Sequence, residues 1–355
     1  MPDSETSRTD INQLGEFKLI DRITHDFSPT LESTILSVGD DAAVIQPGEQ
    51  QQVIITTDML TEGIHFDLGY VPLEHLGYKA VAVNVSDIAA MNGIPTQITV
   101  SLGLSNRFSV EAVEALYRGI RYACENYKVD LVGGDTTASA SGLIISVTAV
   151  GQASPDVVTK RSGAQENDIV CVTGDLGGAY MGLQVLVREK QVFVSNPDQQ
   201  PQLEKYDYVV KRQLRPEARM DLIHELRDLQ VVPTAMIDVS DGLASELFHL
   251  SKQSGVGFRI FEENIPVDHQ TYETAVEFRL SPITCALNGG EDYELLFTIR
   301  QEDYEKIKNL ADVHSIGYAQ PQKDGIQLAT KAGDLIPIQA QGWNHFSDST
   351  QSSDQ

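Results

Sequence analysis

The stretch LEHLGYKAVAVNVSDIAAM, residues 73–91, predicts a helix that is apolar on nearly all of its faces, which is typical of a buried helix. Strands are predicted on both sides of it, at 53–57 (VIITT) and 98–104 (ITVSLGL). A second helix, 109–127, is amphipathic, and Ser109 is its expected N-cap. This alternation of strands and helices indicates an α/β (α+β) fold built in layers.

The same alternation begins again in the second half of the chain. A turn-rich connection, KRSGAQEND, precedes a strand at 169–174, and we expect a domain boundary near residue 152. The glycine pair in DLVGGDTT (130–137) predicts a short strand that ends in a tight turn. We therefore predict an N-terminal domain over 14–152, a C-terminal α/β domain over 153–346, and flexible tails at 1–13 and 347–355.

The composition restricts the class of protein. The chain has 355 residues, and 26 basic against 51 acidic residues give a net charge of −25. A charge this negative argues against nucleic-acid partners and against an anionic membrane surface. The N-terminus lacks the apolar core of a signal peptide, and no membrane span is predicted. Three widely spaced cysteines make a disulfide framework or a zinc site improbable, so we expect a cytoplasmic protein.

Acidic residues recur where predicted elements end or where glycines mark a turn. Such positions on a rigid scaffold are where binding groups usually lie. The members of this set are Asp40, Asp41, Asp58, Asp135, Asp238, Asp241, Glu291 and Asp292. Each also has an ordinary explanation. Asp241, in Ser-Asp-Gly before a helix, could be only an N-cap, and Asp40 could belong to a solvated turn.

Asp87 is different because it lies inside the apolar helix. Its spacing puts it on one face with Ala80 and Val83, where a lone carboxylate would be costly to bury. Two kinds of partner are possible: a local capping or backbone hydrogen bond, or a cation shared with other acids. Likewise, His65 could be an ordinary core histidine, and GDLGG (174–178) could bind a phosphate at a helix N-terminus, although it lacks the P-loop lysine.

The acidic residues as a group favour a magnesium site. Hard oxygen ligands without a cysteine cluster suit Mg²⁺ or Ca²⁺ rather than zinc, and the absence of EF-hand spacing disfavours a calcium sensor. Acids dispersed along the whole chain suit several Mg²⁺ ions gathered around substrate phosphates, which is the arrangement that phosphoryl transfer needs.

In order along the chain, the motifs resemble those of the thiamine-monophosphate kinase family, within the superfamily of aminoimidazole ribonucleotide synthetase and selenophosphate synthetase. They are GEFKLIDRI (15–23), VGDDAAVI (38–45), TTDMLTEGIHF (56–66), YKAVAVNVSDIAAMNGIP (78–95), VGGDTT (132–137), KRSGAQENDIVCVTGDLG (160–177), AMIDVSDGLASEL (235–247), NGGEDYELLFT (288–298) and GWNHF (342–346). Among these, GIHF and GGEDYEL favour this kinase over its relatives.

The resemblance implies direct in-line, Mg²⁺- and ATP-dependent phosphorylation of thiamine monophosphate to thiamine diphosphate, in a homodimer that pairs the N-terminal sheets. It implies Mg²⁺ ligands at Asp41, Thr56, Thr57, Asp58, Asp87, Asp135, Asp238 and Asp241. ATP contacts are implied at Tyr117, Gly134, Asp135, Arg161 and Ser240. Contacts to thiamine monophosphate are implied at His65, Glu291 and Trp343. Charge stabilisation falls to Arg161 and the metal ligands, with no covalent intermediate and no general base.

Two other functions remain open from the sequence. One is a superfamily relative that activates a different oxygen nucleophile with ATP. The selenophosphate type expects a reactive cysteine near the N-terminus, and the first cysteine here is Cys124. The hydrogenase-maturation type expects a C-terminal cysteine, and this chain ends in SSDQ. The other function is a non-catalytic acidic module that binds Mg²⁺ or a nucleotide.

Overall fold

The N-terminal part of the chain is built on a four-stranded sheet. The structure, a computed structural model, describes residue 19 and residues 22–36 and 44–339. The sheet has the spatial order β3–β6–β4–β5, in which β4 and β5 run parallel and the other neighbours antiparallel, so β3 and β5 form its two edges. A separate ribbon pairs β1 with β2. The strands are β1 (Thr34–Leu36), β2 (Val44–Ile45), β3 (Gln52–Thr61), β4 (Ile94–Leu104), β5 (Asp130–Ala138) and β6 (Ile144–Ala153).

Two long helices, α1 (Leu73–Ala90) and α2 (Val110–Tyr127), accompany this sheet. Helix α1 is buried along nearly its whole length, as its apolar sequence predicts. Ser109 is the N-cap of α2, which confirms the prediction, and its hydroxyl accepts the Ala112 N–H at 3.3 Å. The two helices touch at backbone level. A Cβ at Gly77 would lie 2.0 Å from the Leu116 carbonyl oxygen, and one at Gly119 would lie 1.9 Å from the carbonyl oxygen of Glu74.

The opposite face of the four-stranded sheet is open and partly apolar. Along β3 the residues alternate, so that Ile54, Thr56, Asp58 and Leu60 face α1 while the odd-numbered residues face outward. On the outward side the exposed fractions are 42% for Val53, 68% for Ile55 and 59% for Met59. An apolar sheet face of this kind is unusual on an isolated chain.

The C-terminal part is a seven-stranded mixed sheet with the order β13–β12–β9–β11–β7–β10–β8, in which β12 and β9 are parallel. Alternate residues of β7 and β10 belong to two different apolar cores, one on each face of the sheet. One of these cores continues into the N-terminal part. The strands are β7 (Ile169–Thr173), β8 (Ala235–Asp238), β9 (Gly257–Phe261), β10 (Leu295–Ile299), β11 (Val313–Gln320), β12 (Ile326–Ala329) and β13 (Leu335–Pro337).

Seven helices lie between these strands. They are α3 (Gly178–Ser195), α4 (Asp207–Leu214), α5 (Met220–Asp228), α6 (Leu243–Ser254), α7 (His269–Glu277), α8 (Pro282–Asn288) and α9 (Gln301–Ile307), with short 3₁₀ turns at Glu204–Tyr206, Glu262–Asn264 and Gln322–Asp324. None of the helices in the described part of the chain is long and apolar enough to cross a membrane.

Two local predictions are wrong. The segment 130–137 does not end in a glycine turn, because β5 continues through both glycines to Ala138. A Cβ at Gly134 would lie 1.9 Å from the Val100 carbonyl oxygen of β4, so the glycine serves close strand packing. Asp58 does not end its strand either, since β3 runs on to Thr61.

Candidate active site

A cluster of carboxylates lies where the two sheets and helix α1 meet. Asp87, near the end of α1, accepts a hydrogen bond from the Thr56 hydroxyl of β3. Asp58 follows Thr56 by two residues in β3, and its N–H donates to the side-chain oxygen of Asn84 in α1 at 3.1 Å. Asp238, at the end of β8, accepts a hydrogen bond from the N-terminal part of the chain. The donor is the Ser86 hydroxyl of α1, 2.7 Å from the Asp238 carboxylate. We call Asp58, Asp87 and Asp238 the cleft carboxylates.

The pKa values of all three cleft carboxylates are raised, chiefly by burial. Burial raises the pKa of Asp58 to about 6, and the charge of Asp87 adds to the shift. Burial and the charge of Asp87 also raise the pKa of Asp238 to about 7. The pKa of Asp87 is raised by burial as well, although the Thr56 hydrogen bond and the charge of Arg161 act in the opposite direction. One buried and two half-buried acids that resist ionisation at one place are typical of a cation-binding site.

The turn before α6 brings further polar groups to the same cleft. The Asp241 N–H donates to the Glu246 carboxylate at 3.1 Å, and the Ser240 hydroxyl lies 3.5 Å from the same oxygen. Burial raises the pKa of Glu246 to about 8. The N-cap of α6 is Gly242, with no side-chain cap, so the reading of Asp241 as a capping residue is wrong. The exposed Arg161 interacts electrostatically with Glu246 as well as with Asp87 and Asp238.

The donor set fits magnesium in one specific way. Within the part of the chain that the structure describes, no three His, Cys, Asp or Glu side chains converge closely enough to hold a metal ion by themselves. Mg²⁺ usually binds through one or two carboxylates together with water and substrate phosphates rather than in an all-protein cage. The cleft carboxylates, with raised pKa values that a cation would lower again, therefore fit Mg²⁺ that enters with a phosphorylated substrate.

A second polar group, centred on Glu291, lies beside α1 at Lys79, which is nearer the start of the helix than Asp87. The Lys79 ammonium of α1 lies 2.9 Å from one carboxylate oxygen of Glu291, and the Gln213 side-chain amide donates to the other at 2.6 Å. A small internal cavity is bordered by Lys79, Gln213 and His65, together with Tyr70 and neighbouring apolar side chains. The Nδ1 atom of His65 accepts the Thr61 N–H at 3.1 Å. His65 and Glu291 therefore belong to one region, as their predicted shared role requires.

The loop that carries Glu291 also links the two polar groups. Glu291 and Tyr293 both adopt left-handed backbone conformations, with φ of 68° and 54°. Their N–H groups donate to the carbonyl oxygens of Ser240 and Val239 at 2.7 and 2.9 Å. Burial raises the pKa of Tyr293, and the charges of Glu291 and of the cleft carboxylates add to the shift. Two left-handed residues so close together indicate a loop that is held in shape by its surroundings.

The glycine-rich stretch before α3 does not offer an open phosphate site. The Asp292 carboxylate accepts hydrogen bonds from the N–H groups of Gly177 and Ala179, at 2.6 and 3.0 Å. Arg212 lies 3.6 Å from the same carboxylate. Burial raises the pKa of Asp292 to about 7, although both N–H donors and Arg212 oppose the shift. The helix N-terminus that could bind a phosphate is therefore already satisfied by an internal carboxylate.

Among the residues that the structure describes, several predicted site residues are not joined to the cleft carboxylates. The Thr57 hydroxyl faces the other side of the sheet, where the Thr148 hydroxyl donates to it at 3.1 Å. Gly134 and Asp135 lie on β5, the edge opposite β3, about 14 Å away across three strand spacings. Tyr117 is buried in the N-terminal core, with its ring edge-on to Phe27. Asp41 and Trp343 lie outside the described residues.

The fold and the acidic cleft define an AIR synthase related protein. The model of the N-terminal domain of that family matches residues 39–153, and the model of its C-terminal domain matches 165–326. The predicted superfamily and fold class are thereby confirmed.

The sequence relatives narrow the class. The chain is 35% identical to thiamine-monophosphate kinase of Aquifex aeolicus over 95% of this chain and 99% of that protein. It is 36% identical to the Bacillus subtilis enzyme of the same name over 94% and 100%. Among solved structures, AaThiL complexed with AMPPCP and TMP superimposes with a TM-score of 0.74 at 34% identity, covering 97% of this chain and all of that one. The chain belongs to the thiamine-monophosphate kinase family, as the motifs predict.

Reasoning from the sequence missed three residues of the site: Glu246, Lys79 and Tyr293. The signal for Lys79 is visible, since it is a lysine in a helix that is otherwise apolar nearly all round. Glu246 resembles an ordinary first-turn acid of a helix, and Tyr293 resembles an ordinary strand aromatic. Their importance depends on contacts with residues far away in sequence.

Proposed function

We propose that this protein transfers the γ-phosphoryl group of ATP to thiamine monophosphate, giving thiamine diphosphate and ADP, by direct in-line displacement. The observation that carries the proposal is that both halves of the chain supply carboxylates to one cleft. Glu291 and His65 lie nearby, around Lys79 of the same helix α1. Membership of the thiamine-monophosphate kinase family supports the choice of substrates. Two anionic reactants need this kind of charge neutralisation and alignment.

In the proposed step, a terminal phosphate oxygen of thiamine monophosphate attacks the γ-phosphorus while the bond from that phosphorus to the β–γ bridging oxygen breaks. The second pKa of a phosphate monoester is about 6, so the nucleophile is already ionised near neutral pH and needs no general base. Arg161, close to the cleft carboxylates and exposed, is placed to meet the negative charge on the transferred group. No covalent enzyme intermediate is required.

Several Mg²⁺ ions are part of the proposal. Bound Mg²⁺ supplies charge neutralisation of the substrate phosphates. The residues that would hold it are Asp41, Thr56, Asp58, Asp87, Asp135, Asp238 and Asp241, with Thr57 contributing its carbonyl oxygen because its hydroxyl faces away. The raised pKa values of Asp58 and Asp238 support this assignment, since a bound cation would relieve the repulsion that causes them in part.

The remaining roles divide between the two substrates. We assign Gly134, Asp135, Arg161, Ser240 and Tyr117 to ATP. His65, Glu291 and Trp343 are assigned to thiamine monophosphate. The separation of the Glu291 group from the cleft carboxylates supports this division, because a carboxylate such as Glu291 would repel a phosphate but attract a donor or a cation.

A homodimer belongs to the same proposal and is supported by two features of the four-stranded sheet. Its outward face exposes Val53, Ile55 and Met59, and its edges, β3 and β5, are free of sheet partners within the described residues. Pairing β3 with β5 of a second copy would cover both edges. It would also bring Asp135 of the second copy toward Asp58 of the first. Within one chain, Asp58 and Asp135 are about 14 Å apart.

We further propose that the two domains divide near residue 152, with tails at 1–13 and 347–355, and that the protein acts in the cytoplasm. The change of sheet between Ala153 and Ile169 supports the division. Three buried cysteines without disulfides are compatible with a reducing compartment.

The test is a product assay with purified protein, ATP, MgCl₂ and a panel of phosphorylated acceptors. Thiamine diphosphate should form in equal amount to ADP with thiamine monophosphate, and not with the other acceptors. Formation of ADP that ignores thiamine monophosphate would refute the assignment and favour a different acceptor. Tight nucleotide binding with no ADP would favour a non-catalytic module. Trapping of a phosphoenzyme with labelled ATP would overturn the in-line step alone.

A further inference from the structure

Lys79 is a buried cation that the proposed chemistry does not yet use. It lies in the middle of α1 and is 4% exposed. A lysine is rarely buried to this degree unless it is paired, because its charge loses the solvation of water. Its ammonium lies 2.9 Å from Glu291 and donates to the Gln213 carbonyl oxygen at 3.3 Å. Lys79 therefore belongs to the N-terminal half but makes its polar contacts with the C-terminal half.

The contacts around Glu291 hold its carboxylate in one orientation. Lys79 contacts one oxygen, and the Gln213 amide donates to the other at 2.6 Å. The backbone of Glu291 is held as well, because its N–H donates to the Ser240 carbonyl oxygen at 2.7 Å. The side chain is still 27% exposed. Each carboxylate oxygen can accept more than one hydrogen bond, so the exposed side of Glu291 keeps acceptor capacity for a ligand.

The chemistry of the proposed substrate indicates which ligand group this is. In thiamine monophosphate the thiazolium ring carries no N–H, and its hydroxyethyl oxygen is esterified to phosphate. The exocyclic amino group of the aminopyrimidine is the only N–H donor. A carboxylate that is oriented by contacts with Lys79 and Gln213 matches this donor, and charge-assisted hydrogen bonds are the strong kind.

We propose that Lys79 and Gln213 are positioning residues that aim Glu291 at the amino group of the substrate's pyrimidine ring, and so set specificity for it. This inference rests on the proposed function. It goes beyond that function by assigning specificity to two residues that contact Glu291. If Lys79 and Gln213 only held α1 and α4 together, their loss would instead change the KM values of both substrates alike.

The first test compares Lys79→Met with wild type in steady-state kinetics. Loss of the charged partner should raise the KM for thiamine monophosphate about 10- to 100-fold and leave the KM for ATP within about twofold. The matched control is Lys306→Met, which removes a surface lysine paired with Asp303 at 2.7 Å and should change neither constant. Equal increases in both KM values would overturn the proposal.

The second test uses the 4′-oxo analogue of thiamine monophosphate, which lacks the amino group. Wild type should prefer the natural substrate by at least about 100-fold in kcat/KM, because the analogue presents an acceptor oxygen to Glu291 where the amino donor belongs. In Lys79→Met that preference should fall at least about tenfold. A preference that is unchanged in the variant would overturn the proposal even if the protein were less stable, since general destabilisation does not alter a ratio of two substrates.

Gln213→Met is the second variant, and it keeps the Lys79–Glu291 ion pair and hence the buried charge balance. It should change the same ratio in the same direction by a smaller factor. An unchanged ratio would remove Gln213 from the proposal. Failure of the proposed function is recognised separately, because in that case wild type itself forms no thiamine diphosphate.

Discussion

The Ser86 hydroxyl of helix α1 donates a 2.7 Å hydrogen bond to the carboxylate of Asp238 at the end of strand β8. The two residues are 152 positions apart in sequence and belong to different halves of the chain. This bond helps to keep Asp238 ionised at a place where burial favours the protonated acid. One half of the chain therefore supports a ligand group carried by the other, and neither half contains the site alone.

Asp87→Asn should abolish turnover without unfolding the protein. The substitution keeps the shape and an acceptor for the Thr56 hydroxyl, but it removes the charge that would meet Mg²⁺. We expect a loss in kcat of at least about 100-fold, measured as thiamine diphosphate formed, with an unchanged circular dichroism spectrum. Asp156→Asn, at an exposed position, is the matched control and should retain full activity. Near-normal turnover in Asp87→Asn would contradict the role of Asp87 in cation binding.

Stabilisation by Mg²⁺ should increase with pH. Because the folded state raises the carboxyl pKa of Asp58 to about 6 and of Asp238 to about 7, it binds protons there that the unfolded chain has released. Their contribution to the unfolding free energy therefore falls as pH rises from about 4 through about 7. Bound Mg²⁺ should offset this loss, so MgCl₂ should raise the melting temperature more at about pH 8 than at about pH 5.5.

That experiment is done by thermal unfolding in EDTA and in MgCl₂ without nucleotide. Asp87→Asn should show a smaller dependence of the Mg²⁺ effect on pH, because it also removes a charge that raises the pKa of Asp238. An equal Mg²⁺ effect at both pH values in wild type would argue that the cleft carboxylates are not its binding site.

Asp292→Ala should be strongly destabilising. It leaves the N–H groups of Gly177 and Ala179 without their acceptor and deprives Arg212 of a buried counter-charge. We expect a loss of about 3–5 kcal/mol in the free energy of unfolding, measured with urea. Asp268→Ala is the matched control, because Asp268 caps α7 through the Gln270 N–H, and its loss should cost about 1 kcal/mol. Similar losses in the two variants would show that the buried contacts of Asp292 contribute little to the free energy of unfolding.

Ile55→Lys should convert a dimer to a monomer. Ile55 is 68% exposed in the single chain, on the sheet face that the proposed dimer would cover, and a lysine there would have to lose its water on association. Sedimentation velocity should give a dimer for wild type and a monomer for the variant. Val194→Lys, at a position 69% exposed near the end of α3, should remain dimeric. A monomeric wild type would refute the proposed assembly.

The sequence predicts the fold best where local pattern and burial agree. Helix α1 matches its predicted span within one residue, because an apolar run of this length between two strands has few alternatives. The prediction fails at Gly133 and Gly134, where two glycines resemble a turn. Gly134 is needed because the Val100 carbonyl oxygen of the neighbouring strand lies so close, a tertiary contact that local sequence does not contain.

The same limit applies to the site. The acidic character of the cleft follows from the sequence, but the partner of Asp87 does not, since Thr56 comes from a strand 31 residues earlier. Asp292 and Glu291 are neighbours in sequence, yet their carboxylates have different partners. Asp292 accepts a hydrogen bond at the N-terminus of α3, while Glu291 is paired with Lys79 of α1. Adjacent acids can be separated in function only by the fold around them.

The backbone contact between α1 and α2 at Gly77 and Gly119 has a consequence for substrate length. It packs the backbone of α1 directly against that of α2, and α1 carries both Lys79 and Asp87. Eight residues of helix separate these two by about 12 Å. One rigid element thus spans from the Glu291 group to the cleft carboxylates, and a ligand that engages both must match that span. A single helix would then discriminate among phosphorylated compounds by their reach as well as by their chemistry.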